Sequence, residues 1–167
     1  MLDFTLSPEQ QALKAEAHDF AANVMRPVAR QYDDSGEWAT PVYNKAWELG
    51  YLQALVPEFC GGPGKSQVDE ALVCEELAWG CGGLYTSIMA NGLGITPILI
   101  AGSDEQKKQW LSKLVEAPVF AAFSLSEPNA GSDAGGMTCR AELKGDKYII
   151  NGTKCYCTNG GYADFYT

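Results

Sequence analysis

The sequence predicts an α+β protein, with an all-α helical N-terminal domain over residues 1–118 and the first part of an antiparallel β domain over residues 119–167. Helix-start signals recur along the first region, each followed by apolar residues at spacings of three and four. Beyond Pro118 the pattern changes to short apolar runs. The Asn151-Gly152 pair between two such runs is a strong β-hairpin signal, because both central residues of a tight turn need positive φ.

The helical prediction begins at Ser7-Pro8-Glu9-Gln10, which places a hydroxyl at the N-cap, a proline in the first turn and Gln10 where it closes a capping box. Pro27 is expected to kink or end this first helix. Further helices are predicted over residues 40–50, 67–79, 84–100 and 103–114, with Pro97 as a disturbance within one of them. Together these segments predict an α bundle.

Strands are predicted over residues 119–125, 147–150 and 153–158. In the last of these, alternation of side chains would place Lys154, Tyr156 and Thr158 on one face. An aromatic ring beside a hydroxyl suits a planar redox ring, which needs a surface to lie against and a hydrogen-bond donor. The alternative is that Tyr156 packs in a sheet core and Thr158 is an ordinary strand residue.

Composition excludes several function classes. The 167 residues include 12 basic and 21 acidic side chains, and the net charge of -9 disfavours nucleic acid as a partner. We expect no membrane span, because no window reaches the roughly 18–20 apolar residues required. The start of the chain, MLDFTLSPEQ, lacks the features of a signal peptide, so an unsecreted protein is expected.

The six cysteines have neither the compact spacing of a disulfide scaffold nor the paired knuckles of a zinc site. They are interpreted as reduced thiols in a cytosol-like compartment, and no metal site is predicted. Gly64-Lys65-Ser66 matches the end of a phosphate-binding loop, but Phe59 occupies the position of its leading glycine. We therefore interpret this segment as a turn between helices.

The run SEPNAGSD, from Ser126 to Asp133, follows the predicted strand 119–125. Gly131 and the hydroxyls of Ser126 and Ser132 allow a concave nest of backbone N–H groups that binds oxygen-rich ligands such as a pyrophosphate or the edge of a flavin. An ordinary turn is the alternative, because proline, asparagine, glycine and serine all favour turns.

These motifs, taken in order, resemble the flavin-dependent acyl-CoA dehydrogenases. The resemblance rests on FSLSEPNAGSD at residues 123–133, GD-x-YIING-x-K at 145–154, and TNG with the later Ala163-Asp164. It extends upstream to AWELG at 46–50, PE-x-x-GG at 57–62, EELA at 75–78 and GSDEQK at 102–107, which look most like the medium-chain members.

The resemblance implies a helical domain, a β domain and a C-terminal helical bundle, the last absent from these 167 residues. It implies FAD as cofactor, with Ser126 bonded to the flavin ring, Ser132 shared with the CoA of the substrate, and Thr158 near the flavin nitrogen that receives hydride. The implied FAD-contacting residues are Phe123, Ser124, Leu125, Ser126, Glu127, Pro128, Asn129, Ala130, Gly131, Ser132, Tyr156, Cys157 and Thr158. Ser126 and Tyr156 stand where the family usually has threonine and a larger aromatic residue.

The implied reaction converts an acyl-CoA to a trans-2-enoyl-CoA, with electron-transferring flavoprotein as the acceptor. No catalytic base is assigned, because the family's glutamate lies in the C-terminal bundle; Glu127 is expected to brace its loop. We expect weak or no activity from these residues alone, and a homo-oligomer when complete. An acyl-CoA oxidase or a non-catalytic helical interaction module are the alternatives. The expected location is bacterial cytoplasm or mitochondrial matrix.

Overall fold

The computed structural model describes residues 5–167 and confirms a helical region followed by a small β region. The predicted boundary between residues 118 and 119 stays a prediction, and the first four residues of the segment compared with a signal peptide lie outside the described part. The helices are α1 (Pro8–Phe20), α2 (Arg26–Ser35), α3 (Thr40–Glu48), α4 (Gln67–Gly80), α5 (Gly82–Ala101) and α6 (Asp104–Glu116). The strands are β1 (Ala121–Ala122), β2 (Arg140–Lys144), β3 (Lys147–Asn151) and β4 (Phe165–Tyr166).

Three helices begin with a reciprocal capping box. The hydroxyls of Ser7, Ser66 and Ser103 each accept a hydrogen bond from the backbone N–H three residues later, and the side chain at that later position bonds back to the cap. These pairs satisfy donors that a helix start otherwise leaves free. Ser66 thus serves as the N-cap of α4.

The prolines disturb their helices less than expected. A π-helical turn, Ala21–Met25, follows α1 directly, and α2 begins at Arg26 with Pro27 in its first turn. The chain therefore stays helical from α1 to α2, and only the α-helical hydrogen-bond pattern is interrupted by the π-helical turn. Pro97 lies inside α5, which runs unbroken to Ala101.

The core consists of two apolar clusters, one packed against the N-terminal half of α5 and the other against its C-terminal half. The larger one packs α1, α3, α4 and α5 together and includes Phe20, Leu77 and Ile88, all buried. The second joins the helices to the β region, because Ile95 and Leu111 pack with Phe165 of β4. The β region is thereby anchored to the helical region through buried apolar contacts.

Helix α5 corrects one expectation. Its 20 residues are long and apolar enough to cross a membrane by length and composition, although no such window was expected. Leu84, Ile88 and Ile95 lie on one face of α5 and are buried against the other helices and β1. On the remaining surface Leu93 and Ile100 are exposed, and only 33% of the apolar stretch is buried.

The β region differs from the predicted strands. Only Ala121 and Ala122 of the expected strand 119–125 form a ladder, and they pair in parallel with Phe165 and Tyr166. β2 and β3 form an antiparallel hairpin whose residues are all exposed.

The hairpin predicted at Asn151-Gly152 is wrong. The turn falls at Gly145-Asp146, with φ of 67° at Gly145, while Asn151 is the last residue of β3 and pairs with Arg140. Gly152 has φ of 154°, and a side chain there would lie 2.6 Å from Cys139. Gly152 is therefore needed because its backbone packs closely against Cys139, and it does not form a turn. The predicted strand over residues 153–158 is also wrong, because these residues form an irregular segment.

Candidate functional site

Two loop segments lie side by side at the end of the β region. The first, residues 123–132, follows β1, and the second, residues 152–159, follows β3. The N–H of Cys155 donates to the carbonyl oxygen of Ser126 at 2.9 Å, and Ser124 Oγ lies 3.3 Å from Cys157 Sγ. Hydrogen bonds therefore bring together the two segments that the family resemblance places at the flavin.

Glu127 is the main brace between these segments. Its carboxylate accepts hydrogen bonds from the backbone N–H of Thr138 at 2.7 Å, from that of Cys139 at 2.9 Å and from Lys154 Nζ at 2.9 Å. The Thr138 N–H, followed by the Lys154 ammonium, lowers the pKa of the Glu127 carboxyl to about 2. A carboxylate with this many donors is a weak proton acceptor. This geometry agrees with bracing as the role of Glu127.

Lys154 links both segments to that carboxylate. Its ammonium also donates to the carbonyl oxygen of Leu125 at 2.9 Å. The side chain thus points inward, whereas Tyr156 is 95% exposed. Alternation of side chains, which would have placed the two on one face, does not apply to this irregular segment.

The tip of the first segment is a tight turn. Glu127 and Ala130 form reciprocal backbone hydrogen bonds of 2.9 and 3.1 Å across the exposed Pro128-Asn129. Gly131 and Ser132 follow on the exposed side. Within residues 5–167 no hydrogen bond joins Ser132 to the other predicted site residues. Phe123, Ser124, Leu125 and Ser126 are half-buried.

Tyr156 has a strained backbone as well as an exposed ring. Its φ is 56°, a left-handed conformation that bulky residues rarely adopt. Such conformations cost roughly 1–3 kcal/mol and are concentrated at ligand-binding and catalytic sites. Together, the strained backbone and the exposed ring identify this position as a candidate contact for a flat ligand.

Asn159 fixes the end of the second segment against the helical region. It also has positive φ, 65°, and its amide Nδ2 donates to the carbonyl oxygen of Ser87 in α5 at 2.9 Å. Its Oδ1 is buried and has no hydrogen-bond partner among the described residues. This contact places Thr158, the preceding residue, beside α5.

Thr158 lines a groove of about 730 Å³ that runs between α4 and α5. The groove combines apolar and polar side chains. The apolar lining includes Leu55, Met89, Leu93, Leu99 and Ile100, and the polar lining includes Lys65, Gln67, Glu70, Cys74, Tyr85, Thr86 and Thr96. Thr158 therefore belongs both to the groove and to the loop pair, which is the two segments 123–132 and 152–159.

Asn91 was missed by the sequence reasoning, although it holds β1 in position. It is buried in α5, and its Nδ2 donates to the carbonyl oxygens of Leu52 and Val119 at 3.2 and 3.0 Å. Its Oδ1 accepts from the N–H of Ala121 at 2.9 Å. The available signal was a single amide within a strongly apolar helix, since such a group needs buried partners.

All six cysteines are free in the structure. Among residues 5–167, no group of three or more histidine, cysteine, aspartate or glutamate side chains is arranged to hold a metal ion.

Comparison with known proteins decides the family. Residues 7–117 match the model of the acyl-CoA dehydrogenase N-terminal domain, and residues 122–167 match that of the middle domain. The chain belongs to the acyl-CoA dehydrogenase family. The resemblance noted in the sequence is thereby confirmed at the level of the family.

Individual relatives agree with this assignment. The chain is 40% identical over 165 residues to a probable medium-chain specific acyl-CoA dehydrogenase of Caenorhabditis briggsae, covering 99% of this chain and 40% of that protein. A chain in the structure of the electron transferring flavoprotein of Acidaminococcus fermentans superposes with a TM-score of 0.91 at 37% identity, covering 99% of this chain and 44% of that one. An acyl-CoA dehydrogenase complexed with FAD from Bacillus anthracis gives 0.89 at 33% identity, covering 99% and 29%.

The chain therefore spans about two fifths of the length of the medium-chain relative it matches. The matched part of the acyl-CoA dehydrogenase family comprises the N-terminal domain and part of the middle domain.

Proposed function

We propose that this chain forms the FAD-contacting and acyl-binding part of an enzyme that oxidises an acyl-CoA thioester to a trans-2-enoyl-CoA. The observation that supports this proposal most directly is the position of Thr158, which lies at the end of the loop pair and also lines the groove between α4 and α5. A dehydrogenase needs its cofactor and the reacting carbons of its substrate in contact. A residue shared by two adjoining sites meets that need.

The residues of the loop pair fit FAD. Tyr156 offers an exposed ring face, and the hydroxyls of Ser126 and Thr158 can bond ring heteroatoms. Under this proposal the cofactor contacts are those inferred from the sequence, from Phe123 to Ser132 and from Tyr156 to Thr158. The complex of the Bacillus anthracis relative with FAD supports the choice of cofactor.

The chain itself contributes binding, orientation and exclusion of water. The groove would hold the acyl chain against Met89 and Leu93, while Ser132 would contact the CoA portion. Bound FAD supplies the acceptor for the hydride that leaves the β carbon. Removal of water strengthens the polar contacts that stabilise negative charge at the thioester in the transition state.

No residue of this chain is proposed as the catalytic base. Glu127 is occupied by its hydrogen bonds and has a lowered pKa, so it is unsuited to remove the proton from the α carbon. We propose, from family membership, that electron-transferring flavoprotein accepts the electrons. The protein would act as a homo-oligomer in the bacterial cytoplasm or the mitochondrial matrix.

The shared position of Thr158 can be tested by binding. Replacing Thr158 with valine removes one hydroxyl, and we expect it to weaken both FAD and octanoyl-CoA by roughly two- to tenfold, the usual value of a neutral hydrogen bond. Calorimetry on each ligand measures the two dissociation constants. Thr153→Val, an exposed threonine in the same segment and outside the groove, is the matched control.

Unchanged affinity for both ligands in Thr158→Val would contradict the shared site. A protein that binds neither FAD nor any acyl-CoA would support the interaction module instead. If the assembled enzyme forms hydrogen peroxide together with the enoyl-CoA, oxygen is its acceptor and the oxidase alternative is correct.

A further inference from the structure

Glu70 is a carboxylate in the groove without an internal partner. It lies on α4, is half-buried, and its Oε1 would be 3.2 Å from a side-chain carbon placed on Gly92 of α5. Leu55 lies close to the same point, 3.5 Å from that position. Among residues 5–167, Glu70 has neither a hydrogen-bond donor nor a cation as a partner.

The two buried carboxylates of the described chain, Glu76 and Glu127, are both paired. Glu76 on the same helix contacts Lys14 at 3.4 Å and His18 at 2.7 Å, and Glu127 has the donors described above. Removing a carboxylate from water without a partner is costly, and burial raises the pKa of the Glu70 carboxyl. Glu70 therefore differs from Glu76 and Glu127 in having no hydrogen-bond donor within the described chain, although Lys65 lines the same groove.

The groove is the place from which such a donor can come. Asn159 donates a hydrogen bond to Ser87 of α5, so the neighbouring residue Thr158 lies close to Ser87 along the helix axis. Gly92 is five residues further along, which corresponds to about 7.5 Å along the helix axis. An acyl chain with its reacting carbons near Thr158 that follows α5 would therefore pass Glu70.

We propose that Glu70 makes this groove prefer acyl groups that bear a hydroxyl on the chain over purely alkyl groups of the same length. The inference rests on the proposed function, because it assumes that the groove binds the acyl chain. An alkyl chain would leave the carboxylate desolvated and unpaired, whereas a hydroxyl donates to it.

The test uses butyryl-, hexanoyl- and octanoyl-CoA, each paired with the thioester that has a terminal hydroxyl. Calorimetry gives, for each pair, the dissociation constant of the alkyl thioester divided by that of the hydroxylated one. Because both members carry the same CoA group, its contribution to binding cancels in this ratio. At the chain length that reaches Glu70, we expect the wild-type protein to bind the hydroxylated member more tightly. In Glu70→Leu this ratio should fall roughly ten- to hundredfold, the value of a hydrogen bond to a charged group.

Two further variants keep the test decisive. Glu70→Gln retains an acceptor without the charge and should give an intermediate ratio, even if Glu70→Leu folds poorly. Glu75→Leu makes the same change on α4 outside the groove and should leave the ratio as in the wild type.

The inference is overturned if the thioesters bind and the ratio stays within about twofold of the wild type in both Glu70 variants. It is also overturned if the wild-type protein prefers the alkyl member at every length. If no thioester binds the wild-type protein, the proposed function fails, and the inference fails with it.

Discussion

The helical region and the β region are stabilised in different ways. The helices pack around two apolar clusters that contain most of the buried side chains. In the β region, the hairpin β2–β3 exposes all ten of its residues, and the adjacent loops are held by the polar groups Asn91, Glu127 and Lys154. Apolar burial therefore determines the scaffold, and a small number of buried hydrogen bonds determine the shape of the site.

This difference separates stability from site geometry. A change in the helical core should lower the free energy of unfolding of the whole chain, because the core is shared among several elements. A change in the polar braces should act first on the loop pair, because few other groups depend on those bonds. The predictions below test the distinction, from the largest expected effect to the smallest.

The same substitution in the two regions gives the sharpest contrast. Ile88→Ala removes a fully buried side chain from the helical core, and we expect a loss of about 2–5 kcal/mol in the free energy of unfolding. Ile150→Ala acts on a side chain that is 72% exposed in β3, and the expected change is within about 0.5 kcal/mol. Urea denaturation measures both values. Equal losses of unfolding free energy in the two variants would contradict the difference between the helical region and the hairpin.

Asn91 is the brace whose removal should cost most. Asn91→Leu leaves the carbonyl of Val119 and the N–H of Ala121 without their amide partner, and a buried group left unpaired costs about 1–3 kcal/mol. Hydrogen exchange at Ala121 should accelerate together with a loss of stability in urea. Asn23→Leu is the control, because Asn23 is exposed and pairs only with Asp19. Unchanged exchange at Ala121 would refute the role of Asn91.

Glu127 should make the loop pair sensitive to acid. Its folded-state pKa of about 2 lies below the ordinary value of 4.5, so its stabilising contribution is present above pH 4.5 and is lost as the pH falls from there toward 2. Amide exchange at Thr138 and Cys139, corrected for intrinsic rates, should therefore accelerate over that range. Glu127→Gln should remove this pH dependence. Glu142→Gln, on the exposed strand β2, should leave it unchanged.

The helices were more predictable than the site because their signals are local. Ser7, Ser66 and Ser103 each cap a helix through a residue three positions away, so the starts of α1, α4 and α6 could be predicted closely. The strands depend on partners distant in sequence. Ala121 pairs with Phe165, a register that no short pattern specifies.

The Asn151-Gly152 error has the same origin. The dipeptide has the composition of a tight turn, but contact with Cys139 decides the conformation of the glycine. Conversely, the adjacency of residues 123–132 and 156–158 was predicted from family resemblance, and hydrogen bonds hold the two loops together. The groove carboxylate Glu70 could not be identified from sequence, because its lack of a partner is visible only in three dimensions.

The central claim is that residues 123–132 and 156–158 together form the FAD site. Titration of FAD into the isotope-labelled protein, followed by backbone amide NMR, tests it without relying on turnover. We predict chemical-shift changes in both segments at the same FAD concentrations, with the hairpin at residues 140–151 and the glycine loop at 61–66 unaffected. Absence of changes in either segment, or changes centred on the glycine loop, would contradict the account.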